Sequence, residues 1–291
     1  MPPVRDAATI MLVRDALDGS GIEVCMLQRN LAAEFVAGAY VFPGGAVDDA
    51  DRQPEAARWC EGRTDRTASE ALGLEVGGLA FWVAALRECF EEAGVLLARH
   101  RGEPGWPGPL LDTSDAAVAA RFARHRDDLN EGRIGLAEVC EVEDLVLPVG
   151  DIHYVSHWIT PEVAPKRYDT RFFVALSPSG QQAVHDDGET IATSWVRPAD
   201  ALDQAGAGRI ELMPPTVANL SAIGRFPTAD AVIDWARSVT DVPTILPIVR
   251  VEGGELIVLR PGDAGYDEAA AEAAAAARDG APGPGLAAGG A

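Results

Sequence analysis

Four charged residues in the stretch 85–95 constrain this chain more than any other feature of its sequence. Arg87, Glu88, Glu91 and Glu92 occupy positions i, i+1, i+4 and i+5, which share one side of an α-helix. Carboxylates four residues apart destabilise a helix by about 0.2–0.5 kcal/mol. Because an apolar face lies beside them, a compensating cation is expected, and hard divalent ions prefer oxygen ligands of this kind. The alternative interpretation is a solvated helix face on which the arginine and the glutamates pair only with each other.

An apolar run that ends in a glycine turn is the second feature. Residues 40–45 read Tyr-Val-Phe-Pro-Gly-Gly, and glycine allows main-chain groups to approach a ligand or a metal closely. Together the two features resemble the Nudix hydrolase signature, G-x5-E-x7-R-E-U-x-E-E-x-G-U, in which U is apolar. Residues 87–95 fit its second half at every position. In the first half Asp51 replaces the glutamate. The number of residues between Asp51 and Arg87 is 35 rather than seven, which we interpret as an insertion of about 28 residues.

The resemblance implies a fold, a domain organisation and an activity. The expected fold class is α/β, a Nudix α/β/α sandwich with a mixed β-sheet and helical insertions. The hydrolase domain is expected to cover residues 1–265, with insertions at about 52–80 and 100–145, and residues 266–291 are expected to form an Ala/Gly-rich, low-complexity tail. The implied enzyme is a pyrophosphohydrolase that uses Mg²⁺ or Mn²⁺ to cleave a nucleoside diphosphate linked to another moiety.

The same resemblance assigns ligands for the cation. Glu88 and Glu92 are the implied metal ligands, and Glu91 completes the cluster directly or through water. Glu91 is therefore also counted among the catalytic groups. The main-chain carbonyl of Gly44 is expected to add one more oxygen to the site.

Arg87 and Glu189 are the other implied catalytic residues. Arg87 is expected to orient the glutamates through ion pairing, with Asp51 as one partner. Glu189 lies in an acidic loop before a strand that contains a tryptophan, where Nudix enzymes commonly place a further glutamate as metal ligand or general base. Asp187 is the second choice for this role. The alternative for both residues is a solvated acidic turn.

Two later segments resemble one Nudix subgroup in particular. Residues 157–161 read His-Trp-Ile-Thr-Pro, and residues 167–173 read Arg-Tyr-Asp-Thr-Arg-Phe-Phe. The subgroup carries an insertion inside the signature and includes enzymes that cleave coenzyme A and acyl-CoA. The first-choice substrate is therefore coenzyme A or an acyl-CoA, split into 3',5'-ADP and a phosphopantetheine. The implied substrate-binding residues are Arg29, Arg167 and Arg171.

A coenzyme A motif of the family fits the chain only in part. Its spacing is matched by Arg29, Asn30, Gly38 and residues 42–45. At three positions of the motif the chain has a different residue type, namely Gln28, Asn30 and Glu34. ADP-ribose, a dinucleotide and a nucleotide sugar are therefore alternative substrates, and a non-catalytic Nudix domain that senses such ligands is an alternative of another class. The complete Arg-Glu and Glu-Glu pairs favour an enzyme, because a pure binder does not need a full metal cluster.

Charge and composition limit the partners. The 291 residues include 24 Lys and Arg against 45 Asp and Glu, a net charge of −21, which argues against binding nucleic acid through a general basic surface. The four cysteines show no C-x-x-C spacing, so neither a zinc knuckle nor a redox pair is indicated. The start lacks the pattern of a signal peptide, and no apolar run approaches about 18 residues. We expect a cytoplasmic enzyme that acts on a small-molecule diphosphate without nucleic acid or membrane, and a homodimer, which is common in the family.

Periodicity and turn residues predict the elements around these motifs. Apolar spacing predicts that the helix with the acidic cluster spans residues 79–93 and ends at Gly94. Only one short helix is expected within residues 52–80, and Ser114 is expected to cap a helix over residues 115–130. The other predicted elements are strands at 7–14, 22–28, 152–159 and 171–176, helices at 135–142, 198–207, 212–220 and 229–239, and a hairpin of strands 245–251 and 255–259.

Overall fold

The structure is a computed structural model that describes residues 2–30, 38–102, 108–186, 188–252 and 255–278. Several positions considered above lie outside the described residues, namely Glu34, Asp187 and residues 279–291 of the predicted tail. Within the described ranges, no helix combines the length and the apolar character that a membrane crossing requires.

Groups of strands and groups of helices follow one another along the chain, in agreement with the predicted α/β class. The strands are β1 Val4–Asp15, β2 Ile22–Arg29, β3 Tyr40–Val41, β4 Gly44–Ala46, β5 Arg99–His100, β6 Leu145–Val146, β7 His153–Ile159, β8 Arg167–Leu176, β9 Thr190–Val196, β10 Thr244–Ile245, β11 Ile248–Glu252 and β12 Glu255–Leu259. The helices are α1 Pro54–Ala57, α2 Asp65–Leu72, α3 Leu79–Ala93, α4 Ala116–Asn130, α5 Leu136–Val142, α6 Pro198–Gly206, α7 Pro214–Ile223, α8 Ala229–Ser238 and α9 Tyr266–Arg278. Short 3-10 helices lie at Ala50–Arg52 and Val149–Asp151.

The central sheet is mixed and is built around β1. In the described part of the chain it has eight strands in the order β10-β7-β8-β1-β2-β3, with β4 also paired to β1 and β9 to β2. β1 is parallel to β8 and β7 is parallel to β10, while the other pairs are antiparallel. Ala8 of β1 lies between Gly45 of β4 and Arg171 of β8. The sheet therefore brings the glycine turn and the 167–171 segment to the same end of β1.

The side chains of β1 alternate between two hydrophobic cores, one on each face of the sheet. Ala8, Ile10 and Leu12 belong to a core that includes α3 and the helices of both insertions. Met11 and Val13 belong to a second core that includes α6, α7 and α8. Successive strand residues point to opposite faces, so a sheet covered on both faces needs apolar residues at most positions, as β1 has. The predicted α/β/α sandwich with a mixed sheet is confirmed.

Helix α3 carries the acidic cluster, and its bounds, Leu79–Ala93, are those predicted from the sequence. Gly94 ends the helix with a φ of 68°, a left-handed conformation that glycine adopts easily. Phe81 and Trp82 are almost fully buried, and burying a large apolar side chain stabilises a fold by about 1.5–3 kcal/mol. Trp82 also donates from its indole N–H to the carbonyl of Ile152 at 2.9 Å. This packing fixes the position of the charged side of α3.

The insertion inside the signature contains two helices rather than the one predicted. α1 is a single turn, too short for a periodic pattern, and α2 has its own capping box. In that box the N–H of Thr64 donates to Oγ1 of Thr67 at 3.0 Å, and the N–H of Thr67 donates to Oγ1 of Thr64 at 3.3 Å. The carboxylate of Asp65 accepts from the N–H groups of Gly77 and Leu79, both at 3.0 Å. The insertion thereby caps the N-terminus of α3.

Several other boundaries differ from the prediction, and the contacts explain two of them. Asp115, and not Ser114, caps α4, because its carboxylate accepts from the N–H groups of Ala117 and Val118 at 2.9 and 3.1 Å. β8 begins at Arg167, earlier than its apolar part, because it pairs in parallel with β1 along its whole length. Pairing with a partner strand thus extends β8 into a polar segment that periodicity alone does not mark.

Part of the predicted tail is a helix that packs on the preceding hairpin. The hydroxyl of Tyr266, the first residue of α9, donates to the carbonyl of Leu246 at 2.9 Å, and Ala269 is buried. Alanine has the highest helix propensity, which explains why a low-complexity segment forms a helix here. The domain boundary after residue 265 stays a prediction.

Candidate active site

Two glycines allow β4 to lie close against α3 on one side and against β1 on the other. A Cβ atom on Gly45 would be 2.5 Å from Oε1 of Glu88, and a Cβ atom on Gly44 would be 2.5 Å from the carbonyl oxygen of Ala8. A larger residue at either position would therefore force its neighbour to move. The main-chain N–H of Gly44 donates to Oε2 of Glu92 at 2.8 Å. The carboxylates of Glu88 and Glu92 face the Gly-Gly strand.

Arg87 is the centre of the charged side of α3. Its Nε and Nη2 donate to the two carboxylate oxygens of Asp51 at 3.0 and 2.9 Å, a two-point geometry that strengthens an ion pair. Its Nη1 donates to Glu88 at 2.9 Å and to Glu91 at 2.6 Å, and Nη2 also donates to the carbonyl of Ala46 at 2.8 Å. The predicted Arg87–Asp51 pair is present, so the two halves of the split signature meet in space.

The glutamates of α3 lie where their charge is disfavoured. Burial raises the pKa of Glu88 to about 8, and the charges of Glu91 and Glu189 add to this shift, although Arg87 opposes it. Burial likewise raises the pKa of Glu92 well above its ordinary value, with the charge of Glu88 adding to the effect. Burial also raises the pKa of Glu91. One arginine does not neutralise these carboxylates, so the cluster favours protons or a further cation.

The predicted metal site is not preassembled. Among the described residues, no three Asp, Glu, His or Cys side chains converge in a way that could hold an ion. The contacts explain this, because Glu88 and Glu91 turn toward Arg87 while Glu92 turns toward the N–H of Gly44. The donors nevertheless fit a hard divalent cation, since they are oxygen atoms of buried carboxylates whose charge is incompletely balanced. The ligand roles of the three glutamates and of the Gly44 carbonyl stay predictions.

Glu189, the predicted base, lies at the edge of this cluster. Its side chain is exposed. Burial is the main cause of the raised pKa of Glu88 and of Glu92, and the negative charge of Glu189 adds to both shifts. The end of β2 holds the loop in place. The N–H of Asn30 donates to the carbonyl of Glu189 at 2.9 Å, and the side-chain amide of Asn30 donates to the carbonyl of Gly188 at 3.0 Å. The main chain at Glu189 is thereby anchored beside the cluster.

Arg29 is the one predicted substrate-binding arginine that the structure brings to the cluster. Burial raises the pKa of Glu92, and the positive charge of Arg29 opposes this shift. Nε of Arg29 is buried and lacks a hydrogen-bond partner within the described ranges. The residue as a whole is only partly buried.

Arg167 and Arg171 point into the protein instead. They are only 7% and 4% exposed. Nε of Arg167 donates to the carbonyl of Thr160 at 3.1 Å, and Arg171 pairs with Asp169. The guanidinium carbon of Arg171 also lies 4.8 Å from the ring centroid of Phe81. Substrate contact by either arginine would require local opening, and their substrate-binding role stays a prediction.

Sequence reasoning missed two residues that shape the site, Arg126 and Asp186. Arg126 of α4 donates to the main-chain carbonyls of Glu91 and Glu92, both at 2.8 Å. Asp186 accepts from the N–H of Glu189 at 3.0 Å. A lone arginine in a polar helix gives no sequence signal for the first contact. The contact of Asp186 does have a sequence signal, because an aspartate three residues before a loop glutamate is typical of a side chain that caps a turn.

A crystal structure of a Nudix hydrolase from Alicyclobacillus acidocaldarius is similar to this structure. The TM-score is 0.61 and the sequence identity 26%, over 80% of this chain and 97% of that chain. The sandwich fold and the Arg-Glu-x-x-Glu-Glu helix against a Gly-Gly strand thus define the class of protein, a Nudix hydrolase. Enzymes of this class generally use divalent metals. The predicted enzyme class is confirmed.

Comparison by sequence then identifies the family within that class. The family model described as NUDT19 Nudix domain matches residues 53–223, more than half of the chain, and the chain belongs to this family. The chain is 28% identical to the acyl-coenzyme A diphosphatase NUDT19 of Gallus gallus, over 91% of this chain and 80% of the relative. It is 27% identical to the acyl-coenzyme A diphosphatase NUDT19 of Homo sapiens, over 85% of this chain and 73% of the relative. The subgroup predicted from the split signature is confirmed.

Proposed function

We propose that this enzyme hydrolyses the diphosphate bond of coenzyme A or of an acyl-CoA and releases 3',5'-ADP and a phosphopantetheine. The observation that carries the proposal is that relatives named acyl-coenzyme A diphosphatases align along 91% and 85% of the chain. The complete Arg-Glu and Glu-Glu pairs on α3 support hydrolysis rather than ligand sensing. The reaction adds one water across the P–O–P link, so that each product keeps one of the two phosphoryl groups.

Mg²⁺ or Mn²⁺ is the proposed cofactor. The groups proposed to hold it are the carboxylates of Glu88, Glu91 and Glu92 and the carbonyl of Gly44. Bound there, such a cation supplies charge neutralisation at the diphosphate oxygens and assists activation of the attacking water. The raised pKa values of the three glutamates, which follow first from burial, support this choice because nearby positive charge stabilises a carboxylate that is costly to ionise.

The side chains of the protein supply orientation and proton transfer in this proposal. Arg87 holds the carboxylates of Glu88 and Glu91 in fixed directions through its Nη1. Glu189 accepts the proton of the attacking water, for which its exposed position beside the cluster suits it. Arg29 contacts a phosphate oxygen, since its side chain as a whole is only partly buried, unlike those of Arg167 and Arg171, and guanidinium groups bind phosphate well.

A substrate panel with the purified 291-residue chain tests the proposal. Coenzyme A, an acyl-CoA, ADP-ribose, a dinucleotide and a nucleotide sugar are each incubated with Mg²⁺, with Mn²⁺ or with a chelator, and the products are identified by mass spectrometry. We expect the highest kcat/KM for coenzyme A or the acyl-CoA, 3',5'-ADP among the products, and no turnover with the chelator. A preference for ADP-ribose or a nucleotide sugar would contradict the substrate. Binding without cleavage of any compound would contradict hydrolysis and favour a sensor.

A further inference from the structure

One side chain fastens helix α4, in the second insertion, to the end of the catalytic helix α3. Nε and Nη2 of Arg126 donate to the main-chain carbonyls of Glu91 and Glu92, both at 2.8 Å. Its Nη1 donates to the carbonyl of His185 at the longer distance of 3.4 Å. Three nitrogen atoms of one guanidinium thus join α3, α4 and the loop that leads to Glu189.

The location of Arg126 suits a helix terminus. The last carbonyls of a helix have no partner within it, and α3 ends at Ala93. A cation there also interacts favourably with the negative end of the helix dipole. Burial lowers the pKa of Arg126, while the negative charge of Asp186 opposes the shift. The guanidinium is therefore enclosed between α3 and the loop rather than exposed on the surface of α4.

Asp186 fixes the loop from its other side. Its Oδ2 accepts from the N–H of Glu189 at 3.0 Å, and its Oδ1 accepts from the N–H and the hydroxyl of Thr190 at 2.9 and 2.7 Å. The N–H of Val184 donates to the last carbonyl of α3 at 2.8 Å. These bonds form a continuous path from the C-terminus of α3 along the loop to the main chain of Glu189.

We propose that Arg126 and Asp186 are positioning residues that set the place of Glu189 relative to the acidic cluster of α3. The second insertion then affects the reaction through the geometry of this loop and not through substrate contact. The inference rests on the proposed function in one respect, the assignment of Glu189 as the group that accepts the proton of water. The N–H groups of a guanidinium point in several directions and reach two carbonyls of α3 and one of the loop at once. The single nitrogen of a lysine cannot make these three contacts together.

A double-mutant cycle separates positioning from simple stabilisation. Arg126→Gln is expected to lower kcat by about 10- to 100-fold with little change in KM. Arg126→Lys is expected to restore kcat only in part, because it returns the charge without the three contacts. If Arg126 acts through Glu189, adding Arg126→Gln to Glu189→Gln should lower kcat by less than about twofold more. Asp186→Asn should show the same non-additivity.

Two matched controls concern the same two helices, α3 and α4. Asp65→Asn removes the carboxylate that caps the opposite end of α3, so it should lower Tm, and its effect on kcat should multiply with that of Glu189→Gln. Arg124→Gln changes an exposed arginine of α4 and should leave both kcat and Tm at the parent values. The first control isolates the stability of α3, and the second isolates the loss of a positive charge from α4.

Amide hydrogen exchange adds a readout that does not depend on turnover. Exchange at Val184, Glu189 and Thr190 should be faster in Arg126→Gln than in the two controls. Parent kcat in a folded Arg126→Gln enzyme, or a loss that multiplies fully with Glu189→Gln, overturns the proposal. If this variant does not fold, Arg126→Lys and Asp186→Asn decide by the same criteria. A parent chain without any turnover contradicts the proposed function instead, and the exchange rates then decide alone whether Arg126 holds the loop.

Discussion

Two groups of buried charges lie on the α3 face of the sheet, and they differ in balance. The box cluster has one cation and four acids, Arg87, Asp51, Glu88, Glu91 and Glu92. The β8 cluster has two bases and one acid, Arg171, His157 and Asp169. In the β8 cluster one carboxylate oxygen accepts from both bases, whereas in the box cluster one guanidinium is shared among several carboxylates. The single acid of the β8 cluster is thus met by positive charge from its own neighbours, whereas Arg87 alone does not balance the carboxylates of the box cluster.

The acids of the two clusters also differ in the direction of their pKa shifts. Burial raises the pKa of Glu88 to about 8. Burial acts in the same direction on Asp169, but hydrogen bonds from His157 and Arg171 outweigh it and lower the pKa of this carboxyl. Burial of charged groups therefore does not by itself mark an active site. The mark is an excess of buried acids over the bases around them.

The largest expected effect is on turnover in the box cluster. Glu92→Gln should lower kcat by about 10²- to 10³-fold, because it removes a charge proposed to hold the cation. The amide oxygen can still accept from the N–H of Gly44, so Tm should be unchanged or higher. Steady-state kinetics and thermal unfolding check both, with Glu75→Gln at an exposed position of the first insertion as the control. Parent turnover in both Glu92→Gln and Glu91→Gln would show that this cluster is not the catalytic centre.

Removing one acid from each cluster should have different consequences. Asp169→Asn leaves Arg171 and His157 without an anion and should cost about 3–5 kcal/mol of unfolding free energy, with kcat preserved in folded enzyme. Asp51→Asn should cost only about 1 kcal/mol, because Arg87 keeps its two glutamates. It should nevertheless lower kcat about tenfold, since Arg87 loses its two-point anchor. Urea unfolding measures the free energy of unfolding, and steady-state kinetics measure kcat. Equal losses of these two quantities in Asp169→Asn and Asp51→Asn would refute the distinction between the clusters.

The next effect concerns pH. The pKa of Glu88 is about 8 in the fold against an ordinary 4.5, so between these values unfolding releases a proton. The Glu88 contribution to stability should therefore be lost from pH 4.5 to pH 8, and the raised pKa values of Glu91 and Glu92 act in the same direction. The lowered pKa of Asp169 acts elsewhere, because it removes stability only as pH falls below about its ordinary 3.8.

A divalent cation should oppose this loss of stability. Since a cation binds ionised carboxylates, Mn²⁺ should raise Tm more at pH 8 than at pH 5. A Mn²⁺ concentration of 100 times Kd adds about 2.7 kcal/mol to the free energy of unfolding. Glu88→Gln should both flatten the dependence of Tm on pH and reduce the shift with Mn²⁺. Thermal unfolding with Mn²⁺ or with a chelator measures this. Equal Mn²⁺ shifts at the two pH values would argue that the ion binds elsewhere.

The fold could be predicted from the sequence where one segment carries its own signal. The bounds of α3 follow from apolar spacing and from Gly94, which act within a single stretch. The Arg87–Asp51 pair could be predicted because the signature fixes which residues correspond across the insertion. The start of β8 and the single turn α1 could not, because the first depends on a partner strand and the second is too short for a periodic pattern.

The residues of the candidate site could be predicted better than their directions. Glu88 and Glu92 face the Gly-Gly strand as the signature suggests, but the turn of Glu88 and Glu91 toward Arg87 depends on side-chain rotamers that spacing does not determine. Arg171 is polar in sequence and buried in space, because a counter-ion on its own strand allows it. Arg126 reaches main-chain carbonyls 34 and 35 residues away, and such a contact exists only once the insertion has packed on α3.

The smallest expected effect sharpens the role of Glu88. Gly45→Ala would place a Cβ atom 2.5 Å from Oε1 of Glu88, and because that oxygen ends a flexible side chain, the fold should lose at most about 1 kcal/mol. The displaced carboxylate should raise the Mn²⁺ concentration for half-maximal activity by about tenfold, with kcat at saturating Mn²⁺ near the parent value. Gly206→Ala is the control, since a Cβ there meets no atom within 4 Å. An unchanged Mn²⁺ dependence would mean that Glu88 serves only as a partner of Arg87, and the carboxylates of the box cluster would then resemble Asp169, which pairs only with bases of the protein.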